Sequence, residues 1–139
     1  MRKSKKLLIL IFSIIFISFI YQQLYYTYKY EGNLVIYISN ESLIDSAQLE
    51  IYIDGNKILE SSLTNEVTHL NKSHSVKTAI GNHVAVIKIN GETSKEIKFN
   101  TILSTFIFVD YYGDRFSYLT NKEDHFVISI SKRPMRYMM

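Results

Sequence analysis

The chain has 139 residues, 47% of them hydrophobic and 21% charged, with five Gly, one Pro and no Cys. That length supplies one core plus a short appendage, and the composition excludes intrinsic disorder, collagen-like repeats, a disulfide framework, a thiolate metal site and a lipid-modified cysteine. The formal charge of +3 is uneven, because Arg2, Lys3, Lys5, Lys6 and Lys29 leave residues 30–139 with 11 basic groups against all 13 acidic ones, and this argues against the clustered basic footprint of a nucleic-acid binder.

The first element is an apolar helix. After the basic start, residues 7–21 carry no charge and the next charged group is Lys29. At about 1.5 Å per residue, residues 7–26 reach roughly 30 Å, the thickness of a hydrocarbon core. Tyr21, Tyr25, Tyr26, Tyr28 and Tyr30 follow, and tyrosine suits a headgroup interface because one end of the ring is apolar and the other polar. A cleaved secretory signal shares the basic start and apolar centre. It also needs small residues at the cleavage site, whereas the first Ala of the chain is Ala47. The expected organisation is a cytoplasmic basic tail over 1–6, a transmembrane signal anchor over 7–28, an extracytoplasmic domain over 33–131 and a basic tail over 132–139. With Lys5 and Lys6 before the span and Lys29 alone just after it, the amino terminus is expected in the cytoplasm and the body outside the cell membrane, a single-pass arrangement with the lipid bilayer as partner.

The body reads as strands. It is rich in Ile, Val, Thr, Tyr and Phe and lacks a sustained helical period. A short apolar run covers 34–39. Residues 48–54 alternate, placing Leu49, Ile51 and Ile53 on one face, and Asp54-Gly55-Asn56 signals a hairpin into Lys57-Ile58-Leu59. Residues 60–75 are polar and weakly patterned, a loop with one edge strand. Residues 83–90 alternate again with Ala85, Ile87 and Ile89 inward, Asn90-Gly91 marks a second hairpin, and 95–99 answers with Ile97 and Phe99. Residues 102–112 are apolar on both faces, as in a central strand; Gly113-Asp114 turns into 115–119, and 125–131 closes the domain with Phe126, Ile128 and Ile130 inward. Short strands at roughly ten-residue spacing predict an all-β fold, a small antiparallel β-sandwich of immunoglobulin-like or transthyretin-like type behind one transmembrane helix. Residues 33–131 are expected to fold without that helix.

Ile51-Tyr52-Ile53-Asp54-Gly55-Asn56-Lys57, and later Gly81-Asn82-His83-Val84-Ala85-Val86-Ile87-Lys88-Ile89-Asn90-Gly91, resemble PEGA and transthyretin-like surface modules: a strand ending in Asp-Gly, a loop, then Gly-x-His leading a Val-rich strand into a second Gly turn. The resemblance covers 51–91. The Pro-Glu-Gly-Ala stretch that names the first family is absent and the loop is longer. What it implies is a small extracytoplasmic β-sandwich used for adhesion or scaffolding, with no catalytic residues to carry over.

Little in the sequence points to catalysis. Gly-x-Ser-x-Gly, P-loop, His-Glu-x-x-His and EF-hand patterns are missing. His69 and His74 lie five apart in a polar loop and match no standard ligand spacing, and His83 reads as the start of a strand. Asp110 with Asp114, and Glu123 with Asp124, flank turns, where carboxylates cap backbone groups. The expectation is a non-enzyme without metal or cofactor. Eleven Tyr and no Trp form the one functional excess. Alternation sends Tyr52 to the face opposite Leu49, Ile51 and Ile53, and Tyr111 and Tyr112 lie on or beside a strand, so these three are the candidate binding residues. Lys5, Lys6, Tyr21, Tyr25 and Tyr26 are the candidates at the membrane interface. Cross-strand aromatic packing is the structural alternative for the strand tyrosines. The function expected is a protein-interaction or scaffold module at the cell envelope with a protein partner, the alternative being a ligand- or glycan-binding subunit that uses an aromatic face.

Overall fold

The computed structural model describes residues 2–41, 46–63, 72–91, 93–113 and 126–132. Helix α1 covers Arg2–Lys29, and eight strands follow: β1 Leu34–Asn40, β2 Ala47–Ile53, β3 Asn56–Leu63, β4 Lys72–Val76, β5 Asn82–Ile89, β6 Thr93–Asn100, β7 Thr105–Tyr111 and β8 Phe126–Ser131. They form two four-stranded sheets, ordered β4-β1-β7-β8 and β3-β2-β5-β6.

The second sheet is antiparallel throughout. Ile53 pairs with Asn56 across a two-residue loop in which Asp54 has φ 50° and Gly55 φ 82°. Positive φ at both central residues matches the twist of the flanking strands, which is why Asp-Gly serves here. Asn90 and Gly91 also take positive φ, beneath an Ile89 to Thr93 pair. The expected alternation holds, with Leu49, Ile51, Ile53, Ala85, Ile87 and Ile89 all buried. β3 runs further than its apolar start suggested, to Leu63, because its polar residues lie along an edge. β4 is the edge strand expected before residue 75.

The first sheet departs from the antiparallel expectation. β1 runs parallel to β7, Leu34 beside Thr105 through Asn40 beside Tyr111, while β4 and β8 flank them antiparallel. Alternation reports which face a residue takes and is silent on strand direction. Parallel pairing needs a long connection, and here the whole second sheet lies between the two strands. β7 also begins three residues later than expected. The Ile102 N–H donates to Asn100 Oδ1 at 2.7 Å and the Thr105 hydroxyl to the Asn100 carbonyl at 2.8 Å, local bonds that turn the chain and leave Ile102 in a loop. The expected strand over 115–119 and the Asp114 half of its turn lie outside the described residues.

The two sheets enclose one core, with Leu34, Ile36, Ile38, Ile107, Val109 and Tyr111 facing Leu49, Ile51, Ile53, Ala85, Ile87, Ile89 and Phe99. Ile128 packs against it. Ile130, expected inward, shares the face of its pair Ile107 but stays exposed on β8, for which no further strand neighbour occurs among the described residues. A second cluster sits on the opposite face of the first sheet, where Val35, Phe106 and Phe108 are buried with Tyr26, Tyr30 and Tyr37 packed on them. The end of α1 therefore forms a third layer. At the link, Gly32 is required by space: a Cβ there would meet the Val76 carbonyl oxygen at 2.6 Å.

Candidate functional site

The stretch Ser4–Lys29 is long and apolar enough to be a membrane anchor or a signal sequence, and its central window is unburied. Every side chain from Leu7 to Ile20 is exposed, so no face of this part is covered by the domain. Lys5 and Lys6 stand exposed in its first turns. The expected tyrosine belt is divided. Tyr21, Tyr25 and Tyr28 point outward, whereas Tyr26 meets the Phe106 ring edge-on at a centroid distance of 5.7 Å and Tyr30 does so at 5.4 Å. Helical geometry places positions four apart on one stripe, so the 26/30 stripe covers the sheet while its neighbours face away. Tyr37 stacks on Phe108 at 5.1 Å, extending the aromatic row along the sheet. Burial and the adjacent Tyr30 hydroxyl hold the Tyr37 phenol above its ordinary range. Hydrogen bonds continue the contact, the Ser104 N–H donating to Gln23 Oε1 at 2.9 Å and the Ser104 and Thr27 hydroxyls lying 3.2 Å apart.

Between the end of α1 and the loops over 77–81 and 101–104 lies an open groove of about 1380 Å³, lined by Gln23, Leu24, Thr27, Lys77, Ile80 and Ile102 among others. Those two loops are bound to each other. The Thr101 N–H donates to the Gly81 carbonyl at 2.8 Å and the Thr101 hydroxyl to the Ala79 carbonyl at 2.7 Å. His83 completes the joint. Its Nδ1 lies 2.6 Å from Asp54 Oδ2, and its Nε2 lies 2.8 Å from the Ala79 carbonyl oxygen, so an imidazolium donates at both ends. The Val84 N–H donates to the other Asp54 oxygen at 2.9 Å. The Asp54 carboxylate raises the His83 pKa, and its bonds from His83 and Val84 lower its own. His83 thus does more than begin a strand. Its partner is 29 positions away in sequence, which no local pattern could identify. Lys132, expected within a basic tail, instead donates to the Asn100 carbonyl and, at 2.6 Å, to the Thr105 hydroxyl. Burial lowers its pKa.

The three candidate binding tyrosines are not brought together. Tyr52 lies on the outer face of the second sheet, its hydroxyl donating to Glu50 Oε2 at 2.9 Å, with the Lys88 ammonium 5.0 Å from its ring centre. Lys57 bridges Glu50 at 2.8 Å and Glu60 at 2.9 Å beside it. Mutual pairing lowers the Glu50 and Glu60 pKa values and raises that of Lys57. The ring is therefore half-covered within a charge-balanced patch of Glu50, Lys57, Glu60 and Lys88. Tyr111 is a core residue between the sheets, and Tyr112 follows it half-buried. Inward or outward placement along β7 decides this, because its odd-numbered positions face the core. Asp110 also differs from expectation. It is buried in β7 rather than capping a turn, and it accepts the Ser39 hydroxyl at 2.6 Å.

Among the described residues no three His, Cys, Asp or Glu side chains are grouped to hold a metal ion. His74 is exposed on β4, and His69, His125, Asp114, Glu123 and Asp124 lie outside the described residues. No protein-family model, curated protein or solved structure matches the chain.

Proposed function

We propose that this chain is a single-pass, membrane-anchored β-sandwich of the cell envelope, its amino terminus cytoplasmic and its domain outside, acting by protein interaction or scaffolding rather than by catalysis. The observation that carries the proposal is the junction. A signal destined for removal has no reason to complete the domain behind it, yet the last two turns of α1 cover Phe106 and hydrogen-bond Ser104. An anchor joined in this way holds the sandwich in one orientation to the bilayer, which suits a module that presents a surface to a neighbour. The patch around Tyr52 is the surface proposed for that neighbour, because an amphipathic ring among paired charges offers both apolar area and polar complementarity.

The test uses the full chain in its native membrane with a photo-reactive side chain at position 52 or, as a second probe of the same face, at Val86. Irradiation should yield one discrete cross-linked species from both positions. Chain recovered intact in the membrane with no adduct from either position would overturn the interaction surface.

A further inference from the structure

The membrane-spanning reading leaves a shortfall. Residues 7–26 match the roughly 30 Å of hydrocarbon only by including Gln22 and Gln23; the mainly apolar stretch before them, residues 7–21, is 15 residues long, or about 22 Å of helix. A short span draws neighbouring groups toward the bilayer. Outside the helix, the two most exposed large aliphatic side chains among the described residues are Ile80, 78% exposed, and Ile102, 68% exposed. Both line the groove beside Gln23 and Leu24, at the end of the sandwich where α1 joins it. Lys29 and Lys77 line the same groove and Tyr28 stands exposed beside it, the mixture of aromatic and cationic groups suited to lipid headgroups.

The loops that carry these isoleucines are held from behind. Thr101 binds the Ala79 and Gly81 carbonyls, His83 sits against Ala79, and Ser104 is bonded to Gln23 of the helix. Their tips are consequently fixed near the level of Gln23, where the apolar span gives out. An isoleucine exposed in water at a loop tip is unfavourable, and the same side chain beside the outer end of a membrane helix meets hydrocarbon.

We propose that this end of the sandwich rests in the phospholipid leaflet from which α1 emerges, with Ile80 and Ile102 inserted at the hydrocarbon boundary and lipid headgroups filling the groove. The proposal rests on the anchor reading above, and its test separates the two. The chain has no cysteine, so Ile80→Cys, Ile102→Cys, Phe16→Cys and Glu96→Cys each provide a single labelling site. Phe16 is within the span and Glu96 is on the outer face of β6. The full-length variants, labelled with a polarity-sensitive fluorophore, are reconstituted in vesicles of phosphatidylethanolamine and phosphatidylglycerol carrying a nitroxide lipid.

The labels at 80 and 102 should be blue-shifted and quenched at least about twofold more than the label at 96. If those two match position 96 while position 16 is quenched, the docking proposal falls and the anchor stands. If position 16 is unquenched as well, the anchor reading falls and takes this proposal with it. All four sites are exposed, and unchanged circular dichroism of each variant confirms that the readout reports location.

Discussion

His83 and Asp54 carry the clearest dependence on pH. The folded-state pKa of His83 is raised by Asp54, so the stabilisation from this histidine is complete below its unfolded value, about 6.5, and is lost as pH rises through the higher folded value. Asp54 has the opposite sign: its lowered pKa gives stability that is present above about 3.9 and lost as pH falls through the folded value. The pair therefore contributes most between about pH 4 and 6.5. Melting temperatures of the wild type and Asp54→Asn, compared from pH 4 to 9, should differ most near pH 5 to 6 and draw together as pH rises through the raised folded-state value of His83. A difference that stays constant across the range would show that the ion pair adds nothing. Sequence reading could place His83 at a strand start but could not reach Asp54, since the contact exists only once β2 and β5 lie side by side.

At the scale of elements, α1 does two kinds of work along its length. From Leu7 to Ile20 it is uncharged and exposed on every face, and its last two turns are amphipathic toward the first sheet. This changes what is expected of a fragment cut at the apparent domain boundary. A fragment starting at Asn33 has the whole inter-sheet core but leaves Val35 and Phe106 with Tyr37 alone of their three tyrosine neighbours; one starting at Gln22 keeps Tyr26 and Tyr30 on them as well. Urea unfolding should show the longer fragment more stable by about 2 kcal/mol, the value of covering one large aromatic side chain. Equal stabilities would mean that the helix end adds no packing energy. The strands were more legible than this junction. β2 and β5 announce themselves by strict alternation and by Asp-Gly and Asn-Gly turns, signals that depend only on neighbours in the chain.

For the whole molecule, the two ends of the sandwich are distinct. α1, the Asp54-Gly55 turn and the loops over 77–81 and 101–104 share one end, and the Asn90-Gly91 turn lies at the other. In the anchored orientation the first end faces the bilayer and the second faces away. Protease added to intact spheroplasts should therefore degrade the domain and leave a membrane-retained amino-terminal fragment. Recovery of a soluble chain beginning near residue 30 would overturn the anchor, and that product would also have lost Tyr26 from its aromatic cluster.

Sequence alone determined the amino-terminal apolar helix, the all-β character of the body and the inward faces of β2 and β5, because hydropathy and period-two alternation are local consequences of burial. Tertiary structure decided what depends on partners far apart in the chain. The parallel pairing of β1 with β7, the burial of Tyr111, the capture of Lys132 by Asn100 and Thr105, and the division of the tyrosines between sheet and solvent all require separate segments to meet. A side chain's type limits what it can bind; which neighbour it finds is set by the packing of the two sheets and the helix against each other.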